Sequence, residues 1–152
     1  GLFPLAGGTF ALGIGLPYGS IPADKIIALA KSALALGTTE IRLAPGRALL
    51  FLGQPATANQ PLQDTAATLG FVTSPADPRT RIAACPGTPA CASGRIATRD
   101  IAETIATENA DILDPSLILH ISGCAKGCAH PGPAALTLVG GENGAGLVVN
   151  AT

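Results

Sequence analysis

Tryptophan and methionine are absent from this 152-residue chain, and its aromatic residues are four Phe and one Tyr. So few flat rings exclude the stacking platforms on which proteins bind single-stranded nucleic acid. Charge is scarce too. Nine basic and ten acidic residues make 12% of the chain and leave a net charge of −1, where a soluble domain usually carries about 25% charged residues. The chain therefore has no basic footprint for nucleic acid, and a surface this poor in charge is expected to be covered in part by something else. No apolar run reaches the ~18 residues of a membrane span. The opening Gly1 to Leu5 has no basic leader and is followed by Gly7, Gly8 and Gly13, a poor signal peptide. With no secretory signal, a cytoplasmic location is expected, where four cysteines serve more often as metal or redox ligands than as disulfides. Gly1 in place of Met points to a processed product or a fragment.

What the chain does have is 47% hydrophobic residues, enough to build a core. Residues 9–16 alternate loosely and read as a strand. Ser20 and Pro22 mark a helix start, with Ile26, Ala30, Ala33 and Leu34 on one stripe, Ile27 beside them and Gly37 at its end. Two short strands, 40–43 and 47–52, flank Ala44-Pro45-Gly46, a hairpin signal. Asn59 and Pro61 open a second helix carrying Leu62, Ala66 and Leu69. This β-α-β-β-α order is most of a ferredoxin-like unit. After the turn-rich Ser74 to Pro78, residues 81–84 read as a strand, 93–110 as a helix with Ile101, Ala102 and Ile105 inward, and 117–121 as a strand after the Asp114-Pro115 break. Residues 136–139 and 147–149 flank Asn143-Gly144 as a terminal hairpin. The reading is α+β in two domains: 1–74, a ferredoxin-like half-domain, and 75–152, a cysteine-bearing α/β domain.

The four cysteines are spaced Cys85-x5-Cys91, a gap of 32 residues, then Cys124-x3-Cys128. Three chemistries compete for them. Disulfides fit poorly without a secretion signal. A zinc knuckle usually spaces its first pair by two to four residues, closer than Cys85 and Cys91. An iron–sulfur cluster is bulky and anionic, so its loops must let backbone N–H groups approach the sulfurs. Pro86, Gly87, Thr88, Pro89 and Ala90 inside the first pair, and Gly123, Ala125, Gly127 and Ala129 around the second, are all small. Lys126 can offset part of the negative charge.

These residues carry a family resemblance. Cys-x5-Cys followed by Gly-Cys-x-x-Gly-Cys resembles the cluster motif of the nitrite/sulfite reductase family, over residues ~71–140, with residues ~1–55 similar to its ferredoxin-like half-domain. The resemblance implies a [4Fe–4S] cluster on Cys85, Cys91, Cys124 and Cys128. The reductases typically carry Pro-Asn where this chain has Ala125-Lys126, and the stretch His120 to Pro131 (HISGCAKGCAHP) resembles the precorrin-3B synthase branch, C-terminal part. That branch implies hydroxylation of a tetrapyrrole, precorrin-3A, with lactone formation to give precorrin-3B in aerobic cobalamin synthesis. It further implies O2 as oxidant, an external electron donor, a mononuclear iron of unplaced ligands, and a missing N-terminal half of the same protein. Sirohaem is implied only by the alternative, a sulfite or nitrite reductase. A non-catalytic electron-transfer module and a zinc-stabilised binding domain are further alternatives.

Four of the nine basic residues, Arg79, Arg81, Arg95 and Arg99, fall within 21 positions. They are either a solvated face or partners for the carboxylates of a tetrapyrrole, which Arg binds in a bidentate fork. Arg81 and Arg95, beside the cysteine loops, and Lys126, inside one, are the candidate substrate-binding residues. His120 and His130 are candidate iron ligands or proton donors, or packed histidines. Gly13-x-Gly15 lacks the rest of a nucleotide motif and is expected to let the strand approach another backbone or a flat ligand.

Overall fold

A computed structural model describes residues 1–114 and 116–151; Pro115 of the Asp114-Pro115 break lies outside them. The chain forms two compact units, Gly1–Asp77 and Pro78–Thr152. Among the described residues no helix is long and apolar enough to cross a membrane.

The first unit runs β1 (Leu2–Pro4), β2 (Phe10–Gly15), α1 (Ala23–Ala35), β3 (Glu40–Ala44), β4 (Ala48–Leu52) and α2 (Asn59–Thr68). Its sheet has the order β1-β2-β4-β3, antiparallel throughout. The β3–β4 hairpin turns at Pro45-Gly46-Arg47, where Gly46 and Arg47 take φ of 77° and 62°. The edge of β2 that faces away from β4 is shared by two segments. β1 pairs along Phe10 to Leu12, and Val72 makes a bridge with Gly15 through two backbone hydrogen bonds of 2.7 and 2.9 Å. Gly13 and Gly15 make this possible, since a Cβ would stand 2.7 Å from the Phe3 ring at Gly13 and 3.1 Å from Val72 at Gly15. The glycines therefore serve strand approach, as the sequence suggests.

The core joins Leu12, Ile14 and Phe51 of the sheet to Leu29 and Ala33 of α1, Leu62 and Ala66 of α2, and Phe71. Here the inward stripe of α1 differs from the sequence reading. Leu29 and Ala33 are buried, with Leu36 packed against them, whereas Ile27 and Leu34 are 54% and 70% exposed. The helix is apolar on several sides, so periodicity alone leaves its rotation open, and packing against the sheet selects the Leu29 face.

The second unit runs β5 (Ile82–Ala84), α3 (Thr98–Glu108), β6 (Leu119–Ser122), β7 (Ala134–Gly141) and β8 (Gly144–Ala151). The order is β5-β6-β7-β8, the first three parallel and β8 antiparallel. The β7–β8 hairpin turns through Glu142-Asn143, at the Asn-Gly signal. Helix α3 begins at Thr98 rather than Ser93. The backbone before it is committed elsewhere: Arg95 N–H donates to the Gly123 carbonyl at 2.7 Å, and the Ile96 carbonyl accepts from Thr88 N–H at 3.0 Å. Its buried residues are Thr98, Ala102 and Ala106, so Ile101 and Ile105, expected inward, are only half-buried.

Candidate functional site

Parallel strands release their following loops at the same sheet edge, and this brings the cysteines' loops together. Ala84 of β5 pairs with Ile121 of β6. Cys85 follows the one strand directly, and Gly123-Cys124 follows the other. Cys85 N–H donates to the Ile121 carbonyl at 3.3 Å, and Gly123 N–H donates to Cys85 Sγ at 3.1 Å.

Glycines then set the spacing. A Cβ on Gly123 would stand 3.2 Å from Gly87 Cα, 3.4 Å from Cys85 Sγ and 3.4 Å from Gly94 Cα. One on Gly94 would stand 2.8 Å from the Gly87 carbonyl carbon, and one on Gly140 only 2.5 Å from the Gly123 oxygen. Four segments thus meet backbone to backbone at Gly87, Gly94, Gly123 and Gly140. Gly87 and Gly123 are visible in the sequence as small residues of the cysteine loops. Gly94 and Gly140 are not, because one falls in an apparent helix and the other in a terminal turn.

The first loop is closed by Cys91 N–H donating to the Gly87 carbonyl at 2.7 Å and Gly94 N–H to the Cys91 carbonyl at 2.9 Å. Lys126 Nζ donates to Ser93 Oγ at 3.1 Å, so this ammonium ties the second cysteine loop to the end of the first. All four cysteines are free thiols; Cys85, Cys91 and Cys124 are half-buried and Cys128 is exposed. Among the described residues, no three His, Cys, Asp or Glu side chains converge closely enough to hold a single metal ion. A four-iron cluster makes a different demand, taking each thiolate at its own corner. The backbone-thin junction, small loop residues and an amide already aimed at a cysteine sulfur fit such a group.

The candidate carboxylate partners separate. Arg95 is exposed, and its backbone N–H bonds Gly123 between the two loops. Arg81 is half-buried and donates to the Leu113 carbonyl at 3.0 Å, a bond within the fold. Arg99 buries its Nε without a hydrogen-bond partner among the described residues.

His120 and Ser122 of β6 and Thr137 and Val139 of β7 line one face of the sheet beneath the segment 124–133, around a cleft of about 350 Å³ that Cys124 and His130 also line. His120 is 4% exposed, and its Nε2 has no partner among the described residues. Its ring meets that of His130 edge-on at 5.9 Å. Burial pushes the His120 imidazolium below the usual histidine range, and the neighbouring His130 pushes in the same direction. His130 Nε2 lies 3.2 Å from the Pro133 carbonyl.

The fold is α+β and of the nitrite/sulfite reductase type. The structure of the Mycobacterium tuberculosis NirA protein superposes with a TM-score of 0.74 at 22% identity, over 97% of this chain and 29% of that one. In sequence the chain is 42% identical over 150 residues to a precorrin-3B synthase of Sinorhizobium sp. The match takes in 99% of this chain and 33% of that enzyme, so the chain spans about a third of the length of the curated relative it matches. No family model matches the chain.

Proposed function

We propose that this chain is the iron–sulfur part of a precorrin-3B synthase-type oxidoreductase. A [4Fe–4S] cluster would be held by Cys85, Cys91, Cys124 and Cys128, and the substrate is a tetrapyrrole, precorrin-3A, hydroxylated with O2 and closed to the lactone of precorrin-3B. The observation that carries this reading is the contact of the two cysteine loops, Gly123 N–H on Cys85 Sγ across a glycine-packed junction, in a chain 42% identical to such a synthase.

When bound, the cluster supplies single electrons that originate in an external donor. The chain's own residues do the rest. Gly123 N–H donates to one ligand sulfur, which offsets negative charge there. Lys126 adds a cation beside the second loop. Arg95, exposed next to both loops, takes a substrate carboxylate, and Arg81 supports the segment behind it. The rest of a synthase, outside the matched third, would supply the remaining tetrapyrrole contacts, so residues 1–152 alone bind the cluster and do not turn over.

Anaerobic purification followed by iron and acid-labile sulfide analysis tests this directly. About four of each per chain are expected, with a broad absorption shoulder and no sirohaem bands. Zinc in place of iron overturns the cluster. Sirohaem bands move the function to anion reduction, and hydroxylation of precorrin-3A by residues 1–152 overturns the division of labour.

A further inference from the structure

We propose that Thr98, a residue outside the cysteine loops, positions Cys85 for the cluster; the inference rests on the iron–sulfur reading above. Thr98 is the first residue of α3 and is fully buried, at 0% exposure. A buried hydroxyl needs a hydrogen-bond partner, and the one this side chain uses is in the cluster loop. Thr98 Oγ1 donates to the Cys85 carbonyl at 2.5 Å and lies 4.0 Å from Cys85 Sγ. It also stands 2.5 Å from where a Cβ on Gly87 would fall. The hydroxyl thus fixes the main chain that follows the first ligand.

That anchoring completes two other holds on Cys85. Its amide is bonded to Ile121 on the sheet, and its sulfur accepts from Gly123. With its amide and carbonyl both fixed, the Cys85 side chain is directed at Gly123. Without the hydroxyl, the part-buried carbonyl loses this partner, the peptide after Cys85 is free to turn, and the sulfur leaves the amide. A serine would keep the bond, and a valine would keep the shape without it. Thr98 touches no iron in this scheme and acts through Cys85.

The test compares Thr98→Val and Thr98→Ser in the full chain, with Thr107→Val as a control for the loss of a helix threonine on the exposed side of α3. In anaerobically purified protein, Thr98→Val is expected to lose iron to a chelator about tenfold faster than the parent and to lower the cluster's reduction potential, since a donor to sulfur is lost. Thr98→Ser and Thr107→Val should match the parent in both. In metal-free protein, amide hydrogen exchange at Gly123 should speed up about tenfold in Thr98→Val alone. Equal behaviour of Thr98→Val and the parent in exchange overturns the proposal, as does equal impairment of the valine and serine variants, which would assign the effect to packing. A parent chain that binds no iron overturns the cluster reading, while the exchange measurement still decides the role of Thr98.

Discussion

Gly123 and Cys85 are 38 residues apart in sequence, yet the amide of one donates to the sulfur of the other at 3.1 Å. Parallel pairing of β5 with β6 makes this contact, because it releases both cysteine loops at one end of the sheet. The two cysteine loops of the site are in this way tied to a strand register rather than to a local motif.

Replacing any one of Cys85, Cys91, Cys124 or Cys128 by Ser is expected to leave less than half of the parent's iron and sulfide after anaerobic purification, because in the proposed cluster each thiolate would serve its own iron. Iron analysis of the four variants checks this. A cysteine whose loss leaves iron content unchanged is not a ligand.

Gly140→Ala places a methyl group 2.5 Å from the Gly123 oxygen, and Gly123→Ala places one 3.2 Å from Gly87 Cα. Neither glycine has a positive φ, so the effect is one of space. Overpacking of this kind costs about 1–3 kcal/mol, with Gly140→Ala the more damaging. Gly146→Ala meets nothing within 4 Å and should be neutral to within about 0.5 kcal/mol. Urea unfolding of the three variants gives the order.

His120 is held below the usual histidine range by burial and by His130. The unfolded imidazole, near 6.5, therefore binds protons that the folded one refuses. Stability is full above the unfolded value and declines as pH falls through it. Unfolding midpoints of the metal-free chain should drop between pH 7.5 and 5.5, and His120→Asn should flatten that slope. An unchanged slope in the variant would assign the pH dependence to other groups.

Arg81 and Arg95 should respond differently to removal. Arg81→Gln breaks the bond to the Leu113 carbonyl and should cost about 1–2 kcal/mol of stability. Arg95→Gln removes an exposed guanidinium and should leave stability within about 0.5 kcal/mol, while weakening the proposed tetrapyrrole binding. Unfolding curves beside a substrate titration separate the two roles.

Local signals in the sequence agree with the structure where one short segment decides the outcome. The Pro45-Gly46 turn, helix α2 and the Asn143-Gly144 hairpin all depend on neighbours within a few positions. Helix α3 is shorter than the sequence predicts because the Arg95 amide and the Ile96 carbonyl bond Gly123 and Thr88, partners that no periodicity contains. The short β1 carries no signal of its own for a similar reason: three residues ending in Pro4 make a strand only because β2 offers an edge. At the site, cysteine spacing and the small loop residues were legible. Thr98, Gly94 and Gly140 were not, since each acquires its meaning from a segment distant in the chain.

The junction of Gly87, Gly94, Gly123 and Gly140 makes the peptide backbone itself the gauge between the two cysteine loops. An ordinary core tolerates exchange of one aliphatic group for another of similar volume. At this junction there is no smaller residue to substitute, and every alternative adds at least a methyl group. The separation of the loops can therefore be widened by mutation at these four positions but never narrowed.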